Sequence, residues 1–81
     1  MTIRSAVFAF LDQHSEPFTF SADGMVYIAM KYTKLDDVRR KHVMRCVRQY
    51  CEISGATVRR IRGSFGYRVT PGVKISGAIV D

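Results

Sequence analysis

Three cations recur at helical spacing in the middle of the chain, and their chemistry suits a polyanion. Lys41, Arg45 and Arg48 are four and three residues apart, which places them on one face of a helix. A helix fits the major groove of B-form DNA, where arginine reads guanine through two hydrogen bonds. Lys34 and Arg40 lie nearer the predicted start of this helix, where side chains reach phosphates rather than bases. These residues indicate recognition of DNA.

A second basic cluster follows in a segment with the pattern of a β-hairpin. Two runs rich in β-branched residues, 56–62 and 67–70, flank a four-residue loop bounded by glycines. Cations on such a hairpin reach neighbouring phosphates or a narrow minor groove. The aromatic at its tip either wedges into a groove and stacks on a base, or folds back on the hairpin. The candidate nucleic-acid contacts of the hairpin are Arg60, Arg62, Ser64, Phe65 and Arg68.

The whole chain carries a net charge of +6, and its positive charge is concentrated in the second half. Residues 1–33 hold two basic and three acidic side chains, whereas residues 39–68 hold nine basic side chains and one acidic one, Glu52. This segregation favours a polyanionic partner, because each neutralised phosphate releases condensed counterions. The alternative is a solvated face that keeps the protein soluble.

The residues able to hold a metal or perform catalysis are too scattered to form a site. His42 and Cys46 have the spacing of two metal ligands on a helix, but His14 and Cys51 add no paired motif. Both cysteines are interpreted as small buried hydrophobes. No serine, histidine and acid are related beyond adjacency, and no glycine-rich phosphate loop precedes a helix. The sequence therefore predicts no enzyme, no cofactor, no metal and no small-molecule substrate.

The chain has the composition of one small globular domain in a reducing compartment. It has 81 residues, of which 47% are hydrophobic, and two cysteines that form no disulfide framework. No apolar stretch approaches the roughly 18 residues of a membrane span. Asp12 interrupts the apolar amino-terminal run, so we expect no signal peptide there. We expect a cytoplasmic protein with no membrane partner.

Helical spacing and caps predict the elements that position the basic residues. Thr2 caps a first helix that ends near His14, and residues 18–20 alternate as one short strand. A third, strongly amphipathic helix is predicted over residues 36–53, with Asp36 as its cap and Gly55 after its end.

The segment between them, residues 21–33, has two readings. Ser21 is a suitable cap for a second helix that buries Met25, Ile28, Ala29 and Tyr32 on one face. The alternative makes residues 22–24 a hairpin turn before a strand, which gives an αββαββ fold. We favour the helix, although short apolar runs are not decided by periodicity alone.

The order of helix, short strand, buried helix, turn, basic helix and basic hairpin resembles a winged helix-turn-helix domain. The resemblance covers residues 2–70 of a single domain over 1–81, with 71–81 as a carboxy-terminal extension. It implies an α+β fold of three helices and a β-hairpin wing, with residues 36–53 as the recognition helix and residues 63–66 as the wing tip. The turn departs from the compact pattern, because Thr33 stands where glycine often follows Ala29 by four residues.

These expectations converge on a sequence-specific, double-stranded DNA-binding protein, a small transcriptional regulator of bacterial, plasmid or phage origin. One module covers only a few base pairs, so a homodimer or another protein partner is expected, with residues 73–80 or the first helix as the contact surface. Two alternatives stay open: a protein-interaction module that inhibits or recruits an acidic partner, and a structured-RNA-binding protein.

Overall fold

Three helices and three strands form an α+β fold, the class predicted from the sequence. The computed structural model describes residues 1–64 and 66–75. The helices α1 and α2 and the strand between them precede a third helix and two further strands. Their bounds are α1 Ile3–Asp12, β1 Phe18–Ser21, α2 Ala22–Thr33, α3 Arg40–Ser54, β2 Thr57–Arg60 and β3 Gly66–Thr70.

The first two helices begin at the predicted caps. The Ser5 N–H donates to Thr2 Oγ1 at 3.1 Å, and the Gly24 N–H donates to Ser21 Oγ at 2.9 Å. The helix over Ala22–Thr33 shows that the αββαββ alternative was wrong. The predicted apolar face of α2 holds for Met25 and Ala29, which are fully buried, but Tyr32 is 50% exposed.

The start of α3 differs from the prediction of residues 36–53. The helix begins at Arg40, and its cap residue Arg39 has an extended backbone (φ −102°, ψ 146°) with no side-chain capping bond. Asp36 therefore does not cap the helix. Val38, which precedes this cap residue, packs against the core, and such tertiary packing can override a local helix signal. The helix ends as predicted, at Gly55 in the left-handed conformation (φ 77°).

The strands form one antiparallel sheet in the order β1-β3-β2. The hairpin of β2 and β3 was predicted, whereas the pairing of β1 with β3 was not, so the expected two-stranded wing is part of a three-stranded sheet. The hairpin turns through Gly63 (φ 77°), where the Ser64 N–H donates to the Ile61 carbonyl at 3.2 Å. The inward-facing residues Phe18, Phe20 and Val58 pack against the core.

The core joins α3 to α1 and to the described segment that follows β3. The predicted apolar face of α3 is buried through Val43, Cys46, Val47 and Tyr50. The Tyr50 hydroxyl donates to Oδ1 of the buried Asp12 at 2.9 Å, and the Ile75 N–H donates to the same oxygen at 2.9 Å. The segment after β3 is thereby held against the end of α1. The rest of the predicted contact segment, residues 76–80, and the predicted hairpin-tip residue Phe65 lie outside the described residues.

Candidate nucleic-acid interface

The first turn of α3 concentrates positive charge where the helix itself is already positive. The chain enters the helix through Arg39, Arg40, Lys41 and His42, all of them exposed, and the first turn contains no acidic residue. The amino-terminal end of a helix carries a partial positive charge and unpaired N–H groups, so acidic residues are favoured there and cations are not. This arrangement does not stabilise the isolated helix. It suits an external anion.

The outer face of α3 extends this charge along the helix. Lys41, Arg45 and Arg48 are exposed, while Val43 and Val47 on the opposite face are fully buried. Among residues 1–64 and 66–75, none of these three cations forms an ion pair. The structure therefore presents the predicted cationic face of α3 to solvent.

The start of α3 also borders a cleft of about 430 Å³. Arg40, Lys41 and Arg60 line it, so the structure brings together two helix cations and one hairpin cation from the predicted set. Arg40 is held there by Asp23: its Nε donates to Oδ1 at 2.6 Å and its Nη2 to Oδ2 at 3.2 Å. This pair is well exposed to solvent and joins the starts of α2 and α3. The remaining lining residues are Ser21, Ala22, Met44 and Tyr67.

The hairpin turn places Arg62 and Ser64 beside Arg60. These three residues line a concave surface at the turn together with Ile61 and Gly63. Ser64 is partly engaged, since its Oγ accepts the Gly66 N–H at 3.1 Å. Arg60 is thus shared between the cleft and the turn, and the predicted cations of helix and hairpin meet there.

Two predicted residues lie apart from this group. Arg68 is directly opposite Arg59 in the sheet register, on the face that points away from the core. Lys34 adopts the left-handed conformation (φ 63°) at the end of α2 and lines a different groove, with Tyr27 and Leu35. The cationic residues therefore do not form one uninterrupted surface.

Sequence reasoning missed several residues of this region. Asp23 is 17 positions before Arg40, and no periodicity relates them. The sequence pattern gives Met44 and Tyr67 no functional role, yet both line the cleft. Arg59 was not singled out, because its pairing with Arg68 appears only in the sheet register.

The residues considered for metal binding or catalysis differ in their exposure to solvent. Cys46 is 2% exposed, whereas its helical neighbour His42 is exposed. Burial raises the pKa of the Cys46 thiol, an effect that Arg4 and Arg45 oppose, and burial also raises the pKa of Cys51. A raised pKa disfavours the thiolate that ligates metals or attacks substrates. Within the described ranges, no three His, Cys, Asp or Glu side chains are grouped to hold a metal ion.

Comparisons of the chain with protein families, with curated proteins and with solved structures find no match. None of the helices in residues 1–64 and 66–75 has the length and apolar character needed to cross a membrane.

Proposed function

We propose that the chain is a winged helix-turn-helix domain that binds double-stranded DNA in a sequence-specific way and acts as a small transcriptional regulator. In this proposal α3 enters the major groove, and the hairpin of β2 and β3 is the wing that contacts the backbone beside it. The observation that carries the proposal is the row of exposed cations on α3 that form no ion pair with described residues.

The dimensions and side chains of α3 support this role. Its 15 residues extend about 22 Å at 1.5 Å per residue, and a helix fits the roughly 12 Å width of the major groove. Arg45 and Arg48 lie in the middle of the exposed face and are assigned to base edges. Lys41 and Arg40, in the first turn, are assigned to phosphates.

The hairpin supports the second contact. Arg60 lines the same cleft as Lys41, so the cations of the hairpin and of the first turn of α3 are neighbours. Arg62 and Ser64 continue this group around the turn. Contacts from such a hairpin go to phosphates or to a minor groove and strengthen binding to any sequence.

The structured-RNA alternative loses its main basis. A hairpin in residues 17–32 would have favoured it especially, but there the structure has the helix α2 after a four-residue strand. Double-stranded RNA also has a deep and narrow major groove that side chains on a helix cannot read. We therefore assign the cationic face to duplex DNA.

A pair of matched lysine variants tests the proposal. Lys41 and Lys31 are both exposed helical lysines, but Lys31 lies on α2 in the groove with Tyr27. Lys41→Gln and Lys31→Gln remove the same charge from different surfaces. Duplex affinity is measured by fluorescence anisotropy at several salt concentrations. We expect Lys41→Gln to weaken binding to all sequences and to reduce the salt slope by about 1, and Lys31→Gln to leave both unchanged.

Equal losses from both variants would show that binding depends on net charge alone and would contradict the assignment to α3. No measurable duplex binding by the wild-type chain at low salt would contradict it as well. Circular dichroism of the wild type and of both variants verifies that the helices are retained.

A further inference from the structure

The cleft beside the first turn of α3 has the size of a small-molecule site. Its volume of about 430 Å³ lies within the range of roughly 300–1,000 Å³ that is usual for ligand pockets. It opens between the starts of α2 and α3 on one side and the facing residues of β2 and β3, Arg60 and Tyr67, on the other. Sequence reasoning expected no small-molecule partner, so this cleft is a feature that only the structure reveals.

One end of the cleft is suited to a phosphate group. Lys41 and Arg60 line it and form no ion pair with any residue in the described ranges. The adjoining start of α3 has no side-chain cap and no acidic residue in its first turn, so no side chain of the helix itself offsets its positive dipole end. Cations and a helix start that converge on one cavity are a recurring way to hold a phosphate.

The Asp23–Arg40 pair already shows how an anion is received at this place. Nε and Nη2 of Arg40 donate hydrogen bonds to the two carboxylate oxygens of Asp23. This is the same bidentate geometry that arginine uses for phosphate. Both side chains are about 70% exposed, and exposed ion pairs contribute little stability. A phosphate, with more charge and more acceptor oxygens, can therefore replace Asp23 as the partner of Arg40. The Asp23 carboxylate also repels an anion in the cleft.

The cleft lining also includes apolar and aromatic surface. Met44 and Tyr67 contribute it, and the Tyr67 ring is stacked on Phe20 with a centroid separation of 5.4 Å and an angle of 21° between the planes. The stacking restricts the ring, and a thioether and an aromatic ring together favour contact with a flat ring system. A ligand that combines a phosphate with a planar ring would match both the cations and the apolar side chains of the lining.

We propose that this cleft binds a free phosphate monoester that carries a planar ring, of about nucleotide size. The phosphate lies between Arg40, Lys41 and Arg60, and the ring lies against Met44 and Tyr67. The proposal does not depend on DNA binding, although a ligand here would share Arg40, Lys41 and Arg60 with the proposed DNA interface.

Neighbouring arginines provide the matched control. Arg60 lines the cleft, whereas Arg59 faces the other side of the sheet. The full chain, labelled with ¹⁵N, is titrated with adenosine 5′-monophosphate, inorganic phosphate and adenosine while amide shifts are recorded. We expect the monophosphate to shift residues 21–24, 40–44, 60 and 67, phosphate to shift the start of α3 more weakly, and adenosine to bind least.

The variants give the quantitative test. Arg60→Gln should weaken binding of the monophosphate about tenfold, because a charged hydrogen bond is lost, and Arg59→Gln should change it less than about twofold. Asp23→Asn should tighten binding, because it removes the competing carboxylate. The amide spectra themselves show whether each variant is folded.

Two results would overturn the proposal. The first is an equal loss in Arg59→Gln and Arg60→Gln, which would indicate attraction by net charge. The second is an absence of amide shifts with the monophosphate at millimolar concentration. Neither result changes the outcome of the lysine comparison on duplex DNA, so the two proposals fail separately.

Discussion

Arg59 and Arg60 are consecutive residues of β2, yet they lie on opposite faces of the sheet. Arg59 is paired with Arg68 on the outer face, whereas Arg60 is paired with Tyr67 and lines the cleft beside α3. A strand alternates its side chains between its two faces, so two adjacent cations serve two separate surfaces. The basic composition of the hairpin alone does not indicate this division.

The Arg59–Arg68 pair carries a cost in the unbound protein. Directly opposite residues in an antiparallel sheet have Cβ atoms about 4.5–5.5 Å apart, and like charges there are destabilising. We expect Arg68→Thr to raise the free energy of unfolding by about 0.2–1 kcal/mol, since it removes the repulsion and threonine is favoured in strands. Urea denaturation at low salt measures this gain, which should shrink at high salt because the charges are screened.

Arg59→Thr is the control, and it should give a similar gain. The double variant should gain less than the sum of the two, because either substitution alone already removes the repulsion. A loss of stability in both single variants at low salt would contradict like-charge repulsion between them.

Arg45 and Arg62 should affect duplex binding in different ways. Arg45→Ala removes a proposed base contact in the middle of α3 and should cost about 1–3 kcal/mol of discrimination at one position of the target site. Arg62→Ala removes a proposed phosphate contact at the hairpin turn and should weaken binding to all sequences alike. Affinities across a set of single-base variants of the selected duplex distinguish the two effects, and a uniform loss from Arg45→Ala would exclude base reading by that residue.

The Tyr50–Asp12 hydrogen bond should be important for stability. It is 2.9 Å long, both residues are buried, and Ile75 donates to the same carboxylate oxygen. Tyr50→Phe should lower the free energy of unfolding by about 1–3 kcal/mol, because a buried carboxylate loses one donor. Chemical denaturation at neutral pH measures this, and an unchanged midpoint would contradict it.

The same hydrogen bond predicts a loss of stability at alkaline pH. Burial, together with the hydrogen bond and the charge of Asp12, raises the pKa of Tyr50 to about 12, whereas an unfolded tyrosine ionises near 10. The folded state holds this proton more tightly, so its contribution is complete below pH 10 and is lost as the pH rises towards 12. Between pH 9 and 12, the free energy of unfolding should fall more steeply for the wild type than for Tyr50→Phe. Parallel curves for the two proteins would contradict the assignment.

Gly72 allows the chain to pass close to the end of α3. A Cβ at this position would collide with the carbonyl oxygen of Ser54 and with the backbone of Gly55 and Ala56, which cannot move aside cheaply. The neighbouring Val73 N–H donates to that same carbonyl at 2.8 Å. Gly72→Ala should therefore destabilise the fold by about 1–3 kcal/mol, as overpacking does.

Gly66 provides the comparison for this substitution. A Cβ there would lie at ordinary contact distances of 3.4–3.5 Å from its neighbours, and the backbone needs no left-handed conformation. Gly66→Ala should change the thermal midpoint much less than Gly72→Ala. A larger loss at Gly66 would show that the close approach at Gly72 is not what limits the substitution.

The sequence predicted the elements whose signals are local. Ser21 capped a helix as expected, Gly55 ended α3, and runs rich in β-branched residues around a glycine-bounded loop indicated the hairpin. The predicted start of α3, residue 36, was four residues too early, because Asp36 resembles a cap locally whereas Val38 packs against the core and the backbone is extended at Arg39. Capping preference is weak enough for such tertiary contacts to override it.

The pairing of β1 with β3 and the cleft were not predictable from spacing. The strand β1 has four residues, and its partner is nearly fifty positions away in the chain. The Asp23–Arg40 contact depends on how the starts of two helices meet. The exposed cations of α3 were predicted, because charge and apolar residues segregate within one helix, whereas the positions of Lys34 and Arg68 depend on contacts between elements.

The salt dependence of duplex affinity tests the central proposal most directly. If the four cations assigned to phosphates, Arg40, Lys41, Arg60 and Arg62, each neutralise one, log K should fall against log salt concentration with a slope of about −3.6. That slope is the predicted result. A slope near zero, or the absence of duplex binding at low salt, would contradict DNA binding by this surface.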